Sequence, residues 1–266
     1  MVSQPHGGKL VQVREHASPS AFDGFSKSQK IAVSRDMWNT VANLANGVFS
    51  PLDGFMEEDD YLSVIDQMRL TSDVPWTIPI LLTTVDSIRA KPGEDLLLVN
   101  EGDAPVAVLE YSGSFEFSKK EYAMKVFGTE DEKHPGVARI YAGHNQAVSG
   151  RLKSVARANY GKFADSTLTP KETRILFAER GWKTVVAFQT RNAPHINHEY
   201  LQKSALALVV GLFVNPVLGK KKPGDFVDDV IFSAYRALID NYYPKNAVVL
   251  SALNYYPKNA VVLSAL

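Results

Sequence analysis

The 266-residue chain contains no cysteine. That excludes disulfides, thiolate catalysis and cysteine-ligated zinc. It has no surplus of charge either: 29 Lys and Arg balance 29 Asp and Glu. No global field therefore draws the protein to nucleic acid or to an anionic membrane, and an anionic substrate must be attracted by a local cluster. Long apolar runs are also missing. None reaches the ~18 residues of a membrane helix, and the polar start "MVSQPHGGKLVQVREH" lacks the apolar heart of a signal peptide. A cytoplasmic protein with no membrane or nucleic-acid partner is expected. What remains is an ordinary globular composition, 45% hydrophobic and 22% charged.

Two rhythms divide the chain near residue 165. Before it, mixed structure rich in β is expected. Helices are expected at 34–47, with Ser34 as N-cap and Gly47 past the end, and at 59–68. The stretches "TIPILLTTV", "DLLLV" and "APVAVLEYS" have the look of strands bounded by turn residues. Pro79 within the first suggests an edge or a bulge. The segment 134–150 is expected to continue in short strands and glycine turns, with His134 and His144 structural or exposed. After 165, helix and strand alternate. A capping box of Thr169 and Glu172 opens a helix that Gly181 ends. "KTVVAF" is a strand, about 194–206 a helix and "LVVGLFVNPVLG" a strand. "DFVDDVIFSAYRALIDNYY" is a helix with Asp225 as N-cap, and "AVVLSAL" a strand. Such alternation predicts an α/β fold with a parallel sheet and helices on both faces.

The stretch "VVAFQTRNAPHINHEYL" (185–201) starts as a buried strand and runs into polar residues. In open parallel sheets ligands bind beyond the carboxyl ends of the strands, and the next helix points its free N–H groups at the same place. Arg191 offers forked donors to a tetrahedral oxyanion. Gln189 and Asn192 add neutral donors, and His195 and His198 lie on one face of the first helical turns. A metal site would need a third ligand that this pattern does not supply, so none is expected.

"FQTRNAPHINHEYL" resembles the signature of the ATP sulfurylase (sulfate adenylyltransferase) family. "VFSPLDGFM" (48–56), "MRLTSDVPWTIPILL" (68–82), "HPGV" (134–137), "AVSG" (147–150) and "VLGKKKPGDF" (217–226) resemble further family segments in family order. The resemblance implies a PUA-like N-terminal domain over 1–165 and a Rossmann-like adenylyltransferase domain, incomplete, over 166–266. It also implies the reaction of ATP with sulfate to give adenosine 5′-phosphosulfate and pyrophosphate, or its reverse. Carried over by position, Gln189 and Arg191 hold sulfate, and Thr190 and Asn192 shape the loop. His195 and His198 contact ATP phosphates, and Lys220, Lys221 and Lys222 are candidate phosphate contacts. Magnesium arrives with ATP, and family members are commonly oligomeric. The family continues past this chain, where its second signature G-R-D-H-A-G completes the pocket. Two other readings stand beside it: a non-catalytic RNA- or nucleotide-binding protein, and another H-x-x-H nucleotidyltransferase.

One feature lies outside the family pattern. "NYYPKNAVVLSAL" at 241–253 recurs letter for letter at 254–266. Repeat architectures need about three units, so a surplus duplication is expected: the first copy joins the parallel sheet, and the second pairs at an edge, covers apolar surface or stays poorly ordered.

Overall fold

The computed structural model describes residues 4–159, 161–219 and 224–253. The chain divides into two compact units, with the boundary in sequence near residue 159.

The first unit is built on a seven-stranded mixed sheet. Its strands are β1 (Arg14–His16), β2 (Gln29–Ala32), β3 (Gly54–Phe55), β4 (Leu82–Thr83), β5 (Asp95–Val99), β6 (Pro105–Glu116) and β7 (Gln146–Ala156). The long β7 pairs with β6 along one edge, and its other edge is shared in turn by β4, β3 and β1. Leu96–Val99 and Val106–Leu109 are apolar runs with every side chain buried, as in a sheet covered on both faces. Of helices α1 (Arg35–Asn46), α2 (Glu58–Gln67), α3 (Lys119–Tyr122) and α4 (Pro135–Ala142), α1 packs on β7, and the other three share one core cluster with Phe115 of β6 and Ala147 of β7. The Ser34 side chain accepts from Met37 N–H, and Gly47 closes α1 in the left-handed region at φ 90.

Two expectations fail here. Residues 135–142 form α4 rather than strands. Pro135 occupies the first helical turn, and His134 Nδ1 accepts from Gly136 N–H at 3.2 Å. Glycine 136 marks close packing under the Phe127 ring rather than a turn. Pro79 precedes β4, a strand of two residues, and lies in no strand.

The "VFSPLDGFM" segment has a steric role. A Cβ on Gly54 would sit 1.9 Å from the Gly150 carbonyl oxygen and 2.7 Å from Arg151 Cα, both backbone atoms of β7. Only glycine lets β3 approach this closely.

The second unit is a three-stranded parallel sheet in the order β10 (Val248–Leu250), β9 (Gly211–Pro216), β8 (Val185–Thr190). Helices α5 (Pro170–Glu179), α6 (Ile196–Leu206) and α7 (Asp228–Tyr242) complete it. Alternation along the strands sends successive side chains to opposite faces. Leu212, Val214 and Val248 pack with Ile231 and Tyr235 of α7 and with Leu206 of α6. Phe213 and Val249 pack with Phe177 of α5 and Trp182. Helices thus cover both faces. The capping box of α5 is present, with Thr169 and Glu172 satisfying each other's backbone.

The N-cap of α7 departs from expectation. Val227 holds that position without a side-chain cap bond, and Asp225 lies two residues outside it. Its carboxylate pairs with Arg191 instead.

The first copy of the duplicated segment is integral. Tyr243 Oη donates to Gln202 Oε1 at 2.6 Å. Val248–Leu250 form the ladder on β9, and Ser251 Oγ accepts from Leu168 N–H at 2.9 Å. Leu253 bridges to Val217. The second copy, 254–266, lies outside the described residues.

Two outcomes follow from this packing. Gly54→Ala must push β3 off β7, at a cost of about 2–3 kcal/mol typical of overpacking. Lost amide protection along β6 and β7 reads this unit by itself. Deleting 254–266 should leave the melting temperature unchanged within error, because the first copy already holds each of these partners.

Candidate functional site

β8 and β9 lie in parallel register from Val185↔Gly211 to Thr190↔Pro216. Both strands therefore end at one edge of the sheet, and the polar residues after Phe188 emerge there. Phe188 and Val186 face the α6 and α7 side, and by alternation so does Thr190. Gln189 points to the other face and is exposed. The strand runs two residues further than its apolar stretch, through Gln189 and Thr190. The chain then turns: Asn192 N–H donates to Thr190 Oγ1 at 3.2 Å, a local bond that short hydroxyl side chains make readily.

His195 is the N-cap of α6. Its Nδ1 accepts from Asn197 N–H at 3.3 Å, so in the neutral ring the proton sits on Nε2, which becomes a donor. His198 lies one turn on, its ring 3.9 Å from that of His195 between centroids. Its other neighbour is Phe188, edge-on at 5.4 Å. Burial pushes the His198 imidazole below its ordinary value of 6.5, and the neighbouring His195 adds to the effect; the Ala193 carbonyl opposes both. His198 is thus neutral at pH 7.

Beneath the histidines lies a buried polar layer that the sequence pattern did not disclose. Gln202 on α6 is buried and accepts from Tyr243. The Tyr235 hydroxyl, fully buried on α7, faces Thr190 and Gln202. Desolvation raises the Tyr235 phenol, and raises that of Tyr243 to about 12. His198 Nδ1, Gln202 Nε2 and Tyr235 Oη are all buried without closing a hydrogen bond of good geometry. Each such group costs about 1–3 kcal/mol, and their concentration around α6 is the pattern of a site held for function rather than stability. The one sequence signal was Gln202 itself, a polar residue four places after His198 on the inward stripe.

Arg191 forms an ion pair with Asp225, through Nη2 and Oδ2, at side-chain exposures of 25% and 20%. Lys220, Lys221 and Lys222 lie outside the described residues. Among the described residues no group of three or more His, Cys, Asp or Glu could hold a metal ion, and no helix is long and apolar enough to cross a membrane.

The family model described as PUA-like domain matches residues 3–157, and the model described as ATP-sulfurylase matches 164–265. Sulfate adenylyltransferase from Thermococcus onnurineus is 47% identical over 255 residues, 95% of this chain and 66% of that protein. The Pyrococcus abyssi protein of the same name is 46% identical, with the same coverage. The Ignicoccus hospitalis protein is 44% identical over 95% of this chain and 67% of its own length. The chain belongs to the ATP sulfurylase family. It spans 66% of the first two of these relatives. The fold of the ATP-sulfurylase and PUA-like regions is shared with a solved structure described as hexameric APS kinase from Thiobacillus denitrificans. The TM-score is 0.71 at 23% identity, over 97% of this chain and 48% of that one.

The Thr190–Asn192 turn and the His195–His198 pair are thus each drawn together at the ends of β8 and the start of α6. Gln189 stands apart on the opposite face of the strand.

In a proton NMR titration, His198 should show a midpoint below 6.5, and His195→Gln should raise it by removing a neighbouring positive charge at acid pH. The folded state favours neutral His198. Its contribution to stability is therefore retained above 6.5 and lost progressively as the pH falls from there toward the folded value.

Proposed function

We propose that this chain carries the oxyanion and phosphate site of a sulfate adenylyltransferase. The observation that carries the proposal is the Q-T-R-N strand end feeding a helix capped by His195 and lined by His198, in a chain 44–47% identical to relatives bearing that name.

In the proposed reaction a sulfate oxygen attacks the α-phosphorus of ATP. The new bond is S–O–P, the bond broken joins the α-phosphorus to the bridging oxygen, and pyrophosphate leaves with the electron pair. Sulfate is already ionised, so no general base is required. The work is to hold two repelling anions in line and to offset the charge that grows on the leaving group. Arg191 binds sulfate in this scheme. Thr190 and Asn192 shape the loop, which is the role that their mutual hydrogen bond supports. His195 presents Nε2–H to ATP phosphates. His198 beside it contacts the phosphates as a neutral imidazole, adding no full charge that the buried setting would resist. The basic run Lys220–Lys222 supplies further phosphate attraction. ATP carries magnesium on its own phosphates, and no step is assigned to an ion held by the protein.

The same proposal includes adenosine 5′-phosphosulfate and pyrophosphate as products, a homo-oligomer and a cytoplasmic location. An RNA-binding role for the PUA-like unit finds no support in the cleft beside β3 and β7. That cleft, about 540 Å³, is lined by Asp53, Glu57, Asp60 and Glu110, and its one arginine, Arg151, is tied to Glu110 at 2.9 Å. Four carboxylates repel a phosphate backbone.

The test is a coupled assay for ATP formed from adenosine phosphosulfate and pyrophosphate, run on this chain and on a full-length relative. In whichever protein turns over, the substitution equivalent to Arg191→Ala should cost roughly 10²–10³ in kcat, as loss of one preorganised donor does. Near-normal turnover would remove the sulfate role from Arg191.

A further inference from the structure

Asp225 occupies an unexpected place. It belongs to the segment between β9 and α7, and its sequence position suggests a cap for that helix. Instead, its carboxylate pairs with Arg191, and α7 begins three residues later with Val227 as its N-cap. The pairing is partly buried on both sides. A carboxylate and a tetrahedral oxyanion ask the same thing of a guanidinium, namely N–H donors in a planar fork. Asp225 therefore sits on the group that the proposed reaction assigns to sulfate.

We propose that Asp225 is a specificity-determining residue: an internal counter-anion that the incoming oxyanion must displace from Arg191. The inference rests on the sulfate role proposed for Arg191. A charge count favours displacement over sharing. Sulfate at −2, the carboxylate at −1 and the guanidinium at +1 sum to −2 in a partly buried setting, where repulsion is weakly screened. With Asp225 displaced, the same pair sums to −1. Gly224, directly before Asp225, holds a left-handed φ of 89 with open space where a Cβ would be, a backbone that glycine adopts without strain. The effect is a threshold. Anions that interact weakly with Arg191 cannot dislodge the carboxylate, whereas a dianion of the sulfate class can.

The sign of one measurement separates this role from simple orientation of Arg191. Sulfate binding to the whole chain is measured by calorimetry at constant ionic strength for the parent, Asp225→Asn, Arg191→Ala and the double variant. Displacement predicts that Asp225→Asn binds sulfate about tenfold more tightly, equivalent to about 1.4 kcal/mol. It also predicts that the gain disappears in the Arg191→Ala background. Damage to the fold cannot tighten binding, so the direction itself is diagnostic, and Asp225→Ala should act in the same direction. Weaker or unchanged binding in Asp225→Asn, with Arg191→Ala still abolishing it, overturns the displacement role and leaves the sulfate site standing. Parental binding in Arg191→Ala overturns both.

Discussion

β8 and β9 run side by side for six residues in parallel register, so both leave the sheet at the same edge. Most of the polar chemistry of the second unit depends on that ladder. It delivers Thr190 opposite Pro216 and carries the two following segments to one end of the sheet. The ladder also fixes which side chains face α6. Phe188 points to that helix and gives His198 an apolar wall. Thr190, two residues on, points the same way and meets the Tyr235 hydroxyl. A one-residue slip would exchange these for Ala187 and Gln189. The buried polar layer and the lowered imidazole are thus consequences of register as much as of residue choice.

Much of this was legible because local and global signals agreed. Thr169, Pro170 and Glu172 announced α5, Ser34 and Gly47 announced α1, and the apolar runs at 96–99 and 106–109 matched buried strands. The strand–loop–helix placement of the Q-T-R-N and H-x-x-H residues also follows from sequence, since an apolar β-branched run turning polar before Pro194 admits few alternatives. What stayed hidden was set by tertiary contacts. At 134–142 the glycine and proline that suggested turns act instead as a helix start and a packing site under Phe127. Asp225 had the residue type and approximate position of a helix cap, and its actual partner lies 34 residues away in sequence. Gln202, Tyr235 and Tyr243 come from two helices and the segment after them, so no spacing rule connects them.

In the proposed reaction, a chain of zero net charge must handle two anions with the electrostatics of this one site. Arg191 carries a permanent positive charge, yet in this state Asp225 cancels it. His198 is kept neutral by burial and by its neighbour, and His195 spends its Nδ1 lone pair on the start of α6. The described residues therefore present donors more than charge: an imidazole Nε2–H, the N–H groups at the helix start and the Thr190–Asn192 turn. Donors of this kind hold an anion by geometry and lose little to salt, whereas exposed charges attract it from a distance and are screened within about 8–10 Å. A site that must hold two anions close together is better served by the first kind, because a high standing charge would also bind whatever anion arrived first. Keeping Arg191 engaged until a matching oxyanion competes for it is consistent with that constraint. So is a polar layer of Gln202, Tyr235 and Tyr243 that can fix the loop without contributing charge of its own.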